Sequence, residues 1–131
     1  MTRREQREQI FKMLFRVEFH EKEDMLRQME EGCREEMDWS EKDTEYILGK
    51  CKKIVEHIPE MDEAVNEVSK GWKTRRMGKV DLTLIRLAVY EMKYEEDIPV
   101  QVAINEAVEL AKRYGTDDSP SFVNGVLAKL A

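Results

Sequence analysis

Few residues in this chain have the type and spacing that chemistry would need. The two histidines, His20 and His57, have no cysteine, histidine or carboxylate at a metal-binding spacing. Glu56 and His57 are adjacent, so one helix face does not present both, and a histidine on the surface or at a helix end is the plainer reading. Ser40, Ser69, Ser119 and Ser121 sit in capping or loop contexts, without the glycines of a nucleophile elbow. Gly115-Thr116 reads as a helix end, not a phosphate loop. Cys33 and Cys51 form no motif, and two isolated buried thiols are expected rather than a disulfide. The expectation is a protein that is not an enzyme and needs neither metal nor cofactor.

Two basic features call for a different explanation. Arg3, Arg4 and Arg7 open a helix, where the positive end of the macrodipole disfavours cations by roughly 0.3–1 kcal/mol each at a surface. Backbone N–H groups and guanidinium forks at such a place suit a phosphate; the alternative is a tail whose charges serve solubility. The second feature is the segment 70–79, KGWKTRRMGK, with five basic residues and no acid. Arg75 and Arg76 there could hold RNA backbone while Trp72 stacks on a base, although such a tryptophan can also pack under its own loop. Lys112, Arg113 and Tyr114 place two cations and a ring at one helix end, which ordinary dipole compensation would also explain.

The rest of the sequence must position these groups. Its 131 residues make one ordinary domain, 1–131, with one core. Charged residues are 38% and hydrophobic residues 41%, and only 6 glycines and 3 prolines are present, a balance suited to a helical protein with solvated faces rather than a turn-rich sandwich or barrel. No apolar run approaches the roughly 18 residues of a membrane span, and MTRREQREQ has no secretory h-region. A cytoplasmic location is therefore expected. The net charge of −6 excludes a bulk polyanion binder, but it is unevenly spread. Residues 1–20 are net +2, residues 21–45 net −7 and residues 80–131 net −4, so anion attraction would be local.

Hydrophobic spacing predicts about seven helices and no convincing strand. The first runs from Arg3 to Phe19, with Ile10, Met13, Leu14 and Val17 in a stripe widened by Phe11, Phe15 and Phe19. A second, Glu21 to Glu36, has a narrow stripe of Met25, Leu26, Met29 and Cys33, weakened by Gly32. Ser40 caps a third, with Asp43 three residues on, and Pro59 separates it from a short helix over 60–70 that Gly71 would cap. VDLTLIRLAVYEM (80–92) alternates like a strand at first. Apolar residues then fill most of a helical circumference, predicting the central buried helix. Pro99 is expected in the first turn of the next helix, with Ala103, Ala107 and Ala111 as a small-residue stripe. Ser119-Pro120 starts the last, as N-cap and first helical residue, and its stripe of Phe122, Val123, Val126, Leu127 and Leu130 crosses Asn124-Gly125.

Trp72-x-x-x-Arg76-Met77, LIRLAVYEM (84–92), DIPVQVAINEAVELAKRYG (97–115) and SPSFVNGVLAKL (119–130), preceded by RREQRE (3–8), together resemble the NusB family of bacterial transcription antitermination factors. Residues 20–70 match only in helical character and length. The resemblance implies an all-α fold of two packed helical subbundles. It implies binding of the boxA element of nascent ribosomal RNA together with NusE, a small-subunit ribosomal protein, within an RNA polymerase antitermination complex. Arg3, Arg4 and Arg7 fall on the family's RNA-contacting helix, and Asp81 on an acidic position facing NusE. Gln6 stands where Ala is usual and Lys12 where Gln is usual. Asp118-Ser119-Pro120-Ser121-Phe122 replaces a common Asp-Ser-His-Lys-Phe, which puts any RNA contact by that His and Lys in doubt. The resemblance permits a homodimer, which could bury the arginine-rich helix. Some ribosomal RNA cytosine methyltransferases carry a NusB-like domain, but no Gly-rich cofactor loop or catalytic cysteine motif occurs here. A helical scaffold binding only proteins is the remaining alternative.

Overall fold

The computed structural model describes residues 1–18, 22–36 and 38–131. Among them are seven α-helices: α1 (Arg3–Val17), α2 (Lys22–Glu35), α3 (Glu41–Glu56), α4 (Ile58–Val68), α5 (Lys79–Tyr94), α6 (Val100–Tyr114) and α7 (Ser119–Leu130). A 3-10 turn, Thr74–Arg76, interrupts the connector between α4 and α5, and no strand occurs among the described residues. No described helix is long and apolar enough to cross a membrane. The helices fall into two compact units, Met1–Glu56 and His57–Ala131.

In the first unit α1, α2 and α3 pack on one another. The predicted stripe of α1 is buried at Ile10, Phe11, Met13 and Leu14; Met29 and Cys33 are buried on α2 and Ile47, Cys51 and Ile54 on α3, and α1 packs on both helices. Phe19, His20 and Glu21 lie outside the described residues, as does the side chain of Val17. Leu26, expected in the α2 stripe, is exposed; the buried row is Met29, Gly32 and Cys33. A Cβ at Gly32 would come within 2.9 Å of the Met13 thioether, whose flexible end would have to shift. Cys33 and Cys51 are free buried thiols, and burial pushes both thiols up, away from the reactive thiolate. Ser40 caps α3 as expected, its hydroxyl accepting from the Asp43 N–H at 3.1 Å.

In the second unit α5 is the buried centre. Leu82, Leu84, Ile85, Leu87, Ala88 and Val89 are at most 2% exposed, which accounts for its apolar circumference. Thr83 fits because its hydroxyl donates to the Lys79 carbonyl at 2.7 Å. Arg86 makes a forked pair with Asp62 at 2.9 and 2.7 Å that ties α5 to α4. Ala103, Ala107 and Ala111 are buried on α6, which packs on α5 and α7.

Several boundaries differ from expectation. Pro59 does not end α3; it lies in the first turn of α4, where a missing N–H costs nothing, and the break falls at His57. Pro99 is the N-cap of α6 rather than part of its first turn. Gly71 is not a left-handed cap, because no glycine has positive φ and Ser69 ends α4. Asp118, not Ser119, occupies the N-cap of α7. The Ser119 hydroxyl instead reaches back to accept from the Thr116 N–H at 3.0 Å, closing the α6–α7 corner. Gly115 is required in that corner, since a Cβ would overlap the Ser119 side chain.

Candidate nucleic-acid interface

The start of α1 is more constrained than a row of arginines implies. Thr2 caps the helix in a reciprocal box: its hydroxyl accepts from the Glu5 N–H at 3.1 Å, and the Glu5 carboxylate accepts from the Thr2 N–H at 3.1 Å. The Thr2 backbone hydrogen bond holds the Glu5 carboxyl below its usual range. Asp43 of α3 accepts from the Gln6 amide at 2.9 Å, from the Ser40 hydroxyl at 3.0 Å and from the Met1 ammonium at 3.3 Å. These hydrogen bonds, the Gln6 one foremost, lower its carboxyl as well. An acidic clamp thus joins the starts of α1 and α3.

Arg3 and Arg4 are exposed beside this clamp, but Arg7 is only 9% exposed. Arg7 shares the helical row of Ile10, Phe11 and Leu14, which turns it toward the core. The three arginines are therefore not equivalent, and the spacing of Arg7 to Ile10, Phe11 and Leu14 contained that information. The Thr2-x-x-Glu5 capping signature, also legible in the sequence, marks the element missed there.

In the second unit the connector carries a different arrangement. Trp72 is 52% exposed, so it does not pack under its own loop. The Arg76 guanidinium lies over the indole at 5.5 Å, and Phe122 of α7 meets it edge-on at 6.5 Å and 82°. The backbone beneath is held firmly. Ser69 donates to the Trp72 carbonyl at 2.6 Å, and Asn66 accepts from the Thr74 N–H at 2.8 Å while its amide donates to the Thr74 hydroxyl. Arg75 and Arg76 are both exposed, and neither makes an ion pair among the described residues.

Lys112 and Arg113 are exposed at the end of α6. Lys112 pairs with Glu109 at 3.1 Å, and Arg113 lies 5.4 Å from the Tyr114 ring. Asp81 sits in the first turn of α5, half-buried, with its Oδ1 shielded and without a hydrogen-bond partner among the described residues. Phe122 was expected only as part of a core stripe; the structure brings it to the tryptophan. No group of three or more candidate metal ligands occurs among the described residues.

Residues 4–131 match the NusB family along essentially the whole chain. The chain belongs to the NusB family. It is 58% identical to the transcription antitermination protein NusB of Agathobacter rectalis, over all of both chains. Thermotoga maritima NusB superposes with a TM-score of 0.90 at 38% identity, covering 100% of this chain and 91% of that one. A chain from the crystal structure of a plectonemic RNA supercoil superposes with a TM-score of 0.82 at 26% identity, covering 98% and 94%. The NusB fold thus accounts for the all-helical architecture and for the motifs over 72–131.

Proposed function

We propose that this chain is a transcription antitermination factor that binds the boxA element of nascent ribosomal RNA together with NusE and joins an RNA polymerase antitermination complex. The observation that carries this reading is the full-length match at 58% identity to a NusB named as an antitermination protein. The structural likeness to a chain crystallised with an RNA supercoil supports an RNA partner. That the match runs over the whole of its relative favours a binding factor over the RNA-binding domain of a methyltransferase. The mechanism is assembly without catalysis or cofactor.

Arg3, Arg4 and Arg7, with Arg75, Arg76, Lys112 and Arg113, hold phosphates, and Tyr114 offers a ring for an unstacked base. Arg3 and Arg4 carry more of this than the buried Arg7. A protein of net charge −6 binds RNA weakly by itself, because long-range repulsion opposes local attraction. NusE sharing the same RNA makes the second contact effectively intramolecular and raises affinity sharply. Asp81 supplies an acidic contact to NusE, and Asp81→Lys is expected to weaken NusE binding in calorimetry with little change in melting temperature. A homodimer burying the start of α1 would compete with RNA.

The test is a gel shift with boxA and scrambled RNA, with and without NusE. Tight binding should need both boxA and NusE. No preference for boxA, or no RNA affinity with NusE present, would leave a purely protein-binding scaffold.

A further inference from the structure

We infer that the outward face of α3, with Lys42, Tyr46, Gly49 and Lys53 in one row, receives the backbone of single-stranded RNA, and that Gly49 marks the point of closest approach. The inference rests on the RNA-binding reading above and extends the bound strand from the start of α1 along a second helix.

Three observations carry it. The first is charge on one face. Lys42, Tyr46, Gly49 and Lys53 follow at helical spacing, on the side of α3 away from the buried Ile47, Cys51 and Val55, and the two lysines and the tyrosine are exposed. Residues 46–55 hold three lysines and no acid, with Glu45 and Glu56 on the flank of the row. Lys52 is turned aside to Glu30 of α2 at 2.9 Å, while the Lys50 ammonium lies 5.9 Å from the centre of the Tyr46 ring, so cation and ring meet within the row. The second is Gly49 itself. It stands inside a 16-residue helix, where glycine is a poorer helix former than alanine. A Cβ there would meet nothing within 4 Å among the described residues, in contrast to Gly115. Packing within the chain does not require this glycine; close approach by a backbone from outside does. The third is continuity. Asp43, next to Lys42, accepts from the Gln6 amide at 2.9 Å and from the Met1 ammonium at 3.3 Å, so the row begins beside Arg3 and Arg4. A strand leaving those arginines meets Lys42 next. An apolar protein helix would use the glycine but not the lysines on either side of it.

The test uses fluorescence anisotropy of an unstructured RNA carrying boxA, with NusE present, at several salt concentrations. Lys42→Ala with Lys53→Ala should lower the slope of log K against log salt by up to about 1.4, from about 0.7 per phosphate contact. Gly49→Leu removes no charge, yet should weaken binding and lower the slope by about 0.7 or more, because its side chain lifts the strand off a lysine. Alanine and leucine are both better helix formers than glycine, so Gly49→Ala and Gly49→Leu should melt at or above the wild-type temperature, which separates lost binding from lost folding. Wild-type affinity and slope in Gly49→Leu and in the lysine pair, with Arg3→Ala plus Arg4→Ala still lowering the slope, would overturn the α3 surface alone. Lower melting temperatures in both Gly49 variants would show an internal reason for the glycine and overturn the close approach. Loss of NusE affinity in Gly49→Leu without RNA, with RNA binding intact, would overturn it too and assign the face to protein. No RNA binding by the wild type would overturn the underlying reading as well.

Discussion

The two units treat positive charge differently. The first unit buries cations, with Arg7 at 9% and Lys50 at 6% exposure, and ties the start of its arginine-rich helix to the acids Glu5 and Asp43. Among its described residues the second unit buries no lysine or arginine to that degree, and it displays Arg75 and Arg76 beside an exposed indole. A count of basic residues treats these regions alike. Burial and neighbours separate them: one region combines a buried arginine with exposed ones, the other places exposed arginines beside an exposed ring.

Breaking the core of the second unit should have the largest effect. Leu87 is 1% exposed on α5, and Leu87→Ala is expected to cost roughly 2–5 kcal/mol. Urea unfolding checks this, and a change under about 0.5 kcal/mol would show that α5 is not the centre of its unit. The next effect tests the inequality of the arginines. Arg7→Ala should destabilise by about 1–3 kcal/mol, because its buried stem and guanidinium are both lost. Arg3→Ala and Arg4→Ala should each stay within about 0.5 kcal/mol. Equal effects of all three would erase the distinction between structural and displayed cations.

The smallest effect concerns the acidic clamp. The folded carboxyls of Asp43 and Glu5 lie below their ordinary values, so both favour the folded state above the usual carboxylate range. That contribution disappears as pH falls through the lowered folded values. Melting temperatures of wild type and Asp43→Asn should therefore differ near neutral pH and converge in acid. A constant difference across the series would show that Asp43 does not act through its charge.

Much of the second unit was legible because its signals are local and agree with one another. Apolar residues around most of the circumference of 80–92 admit little but a buried helix, and the stripe crossing Asn124-Gly125 overrode a turn dipeptide. Proline was ambiguous at Pro59, since a proline that ends one helix is equally acceptable in the first turn of the next. The burial of Arg7 was present in its spacing to Ile10, Phe11 and Leu14, but residue type pointed the other way. The Trp72–Phe122 contact was not legible, because it joins residues distant in sequence and a helical stripe assigns Phe122 to the core. Gly115 was similarly opaque: the reason for it is Ser119, a neighbour on another helix.

The central claim is that exposed arginines at the start of α1 hold RNA phosphates while NusE shares the RNA. The salt dependence of boxA RNA binding, measured by filter binding with NusE present, tests it most directly. For single strands each lost phosphate contact lowers the slope of log K against log salt by about 0.7, so Arg3→Ala with Arg4→Ala should lower it by about 1.4, and adding Arg7→Ala by up to about 2 in total. BoxA and unrelated RNA should lose affinity alike, since phosphates carry no sequence. An unchanged slope and affinity in the double and triple variants would contradict the account and place the RNA elsewhere on the chain.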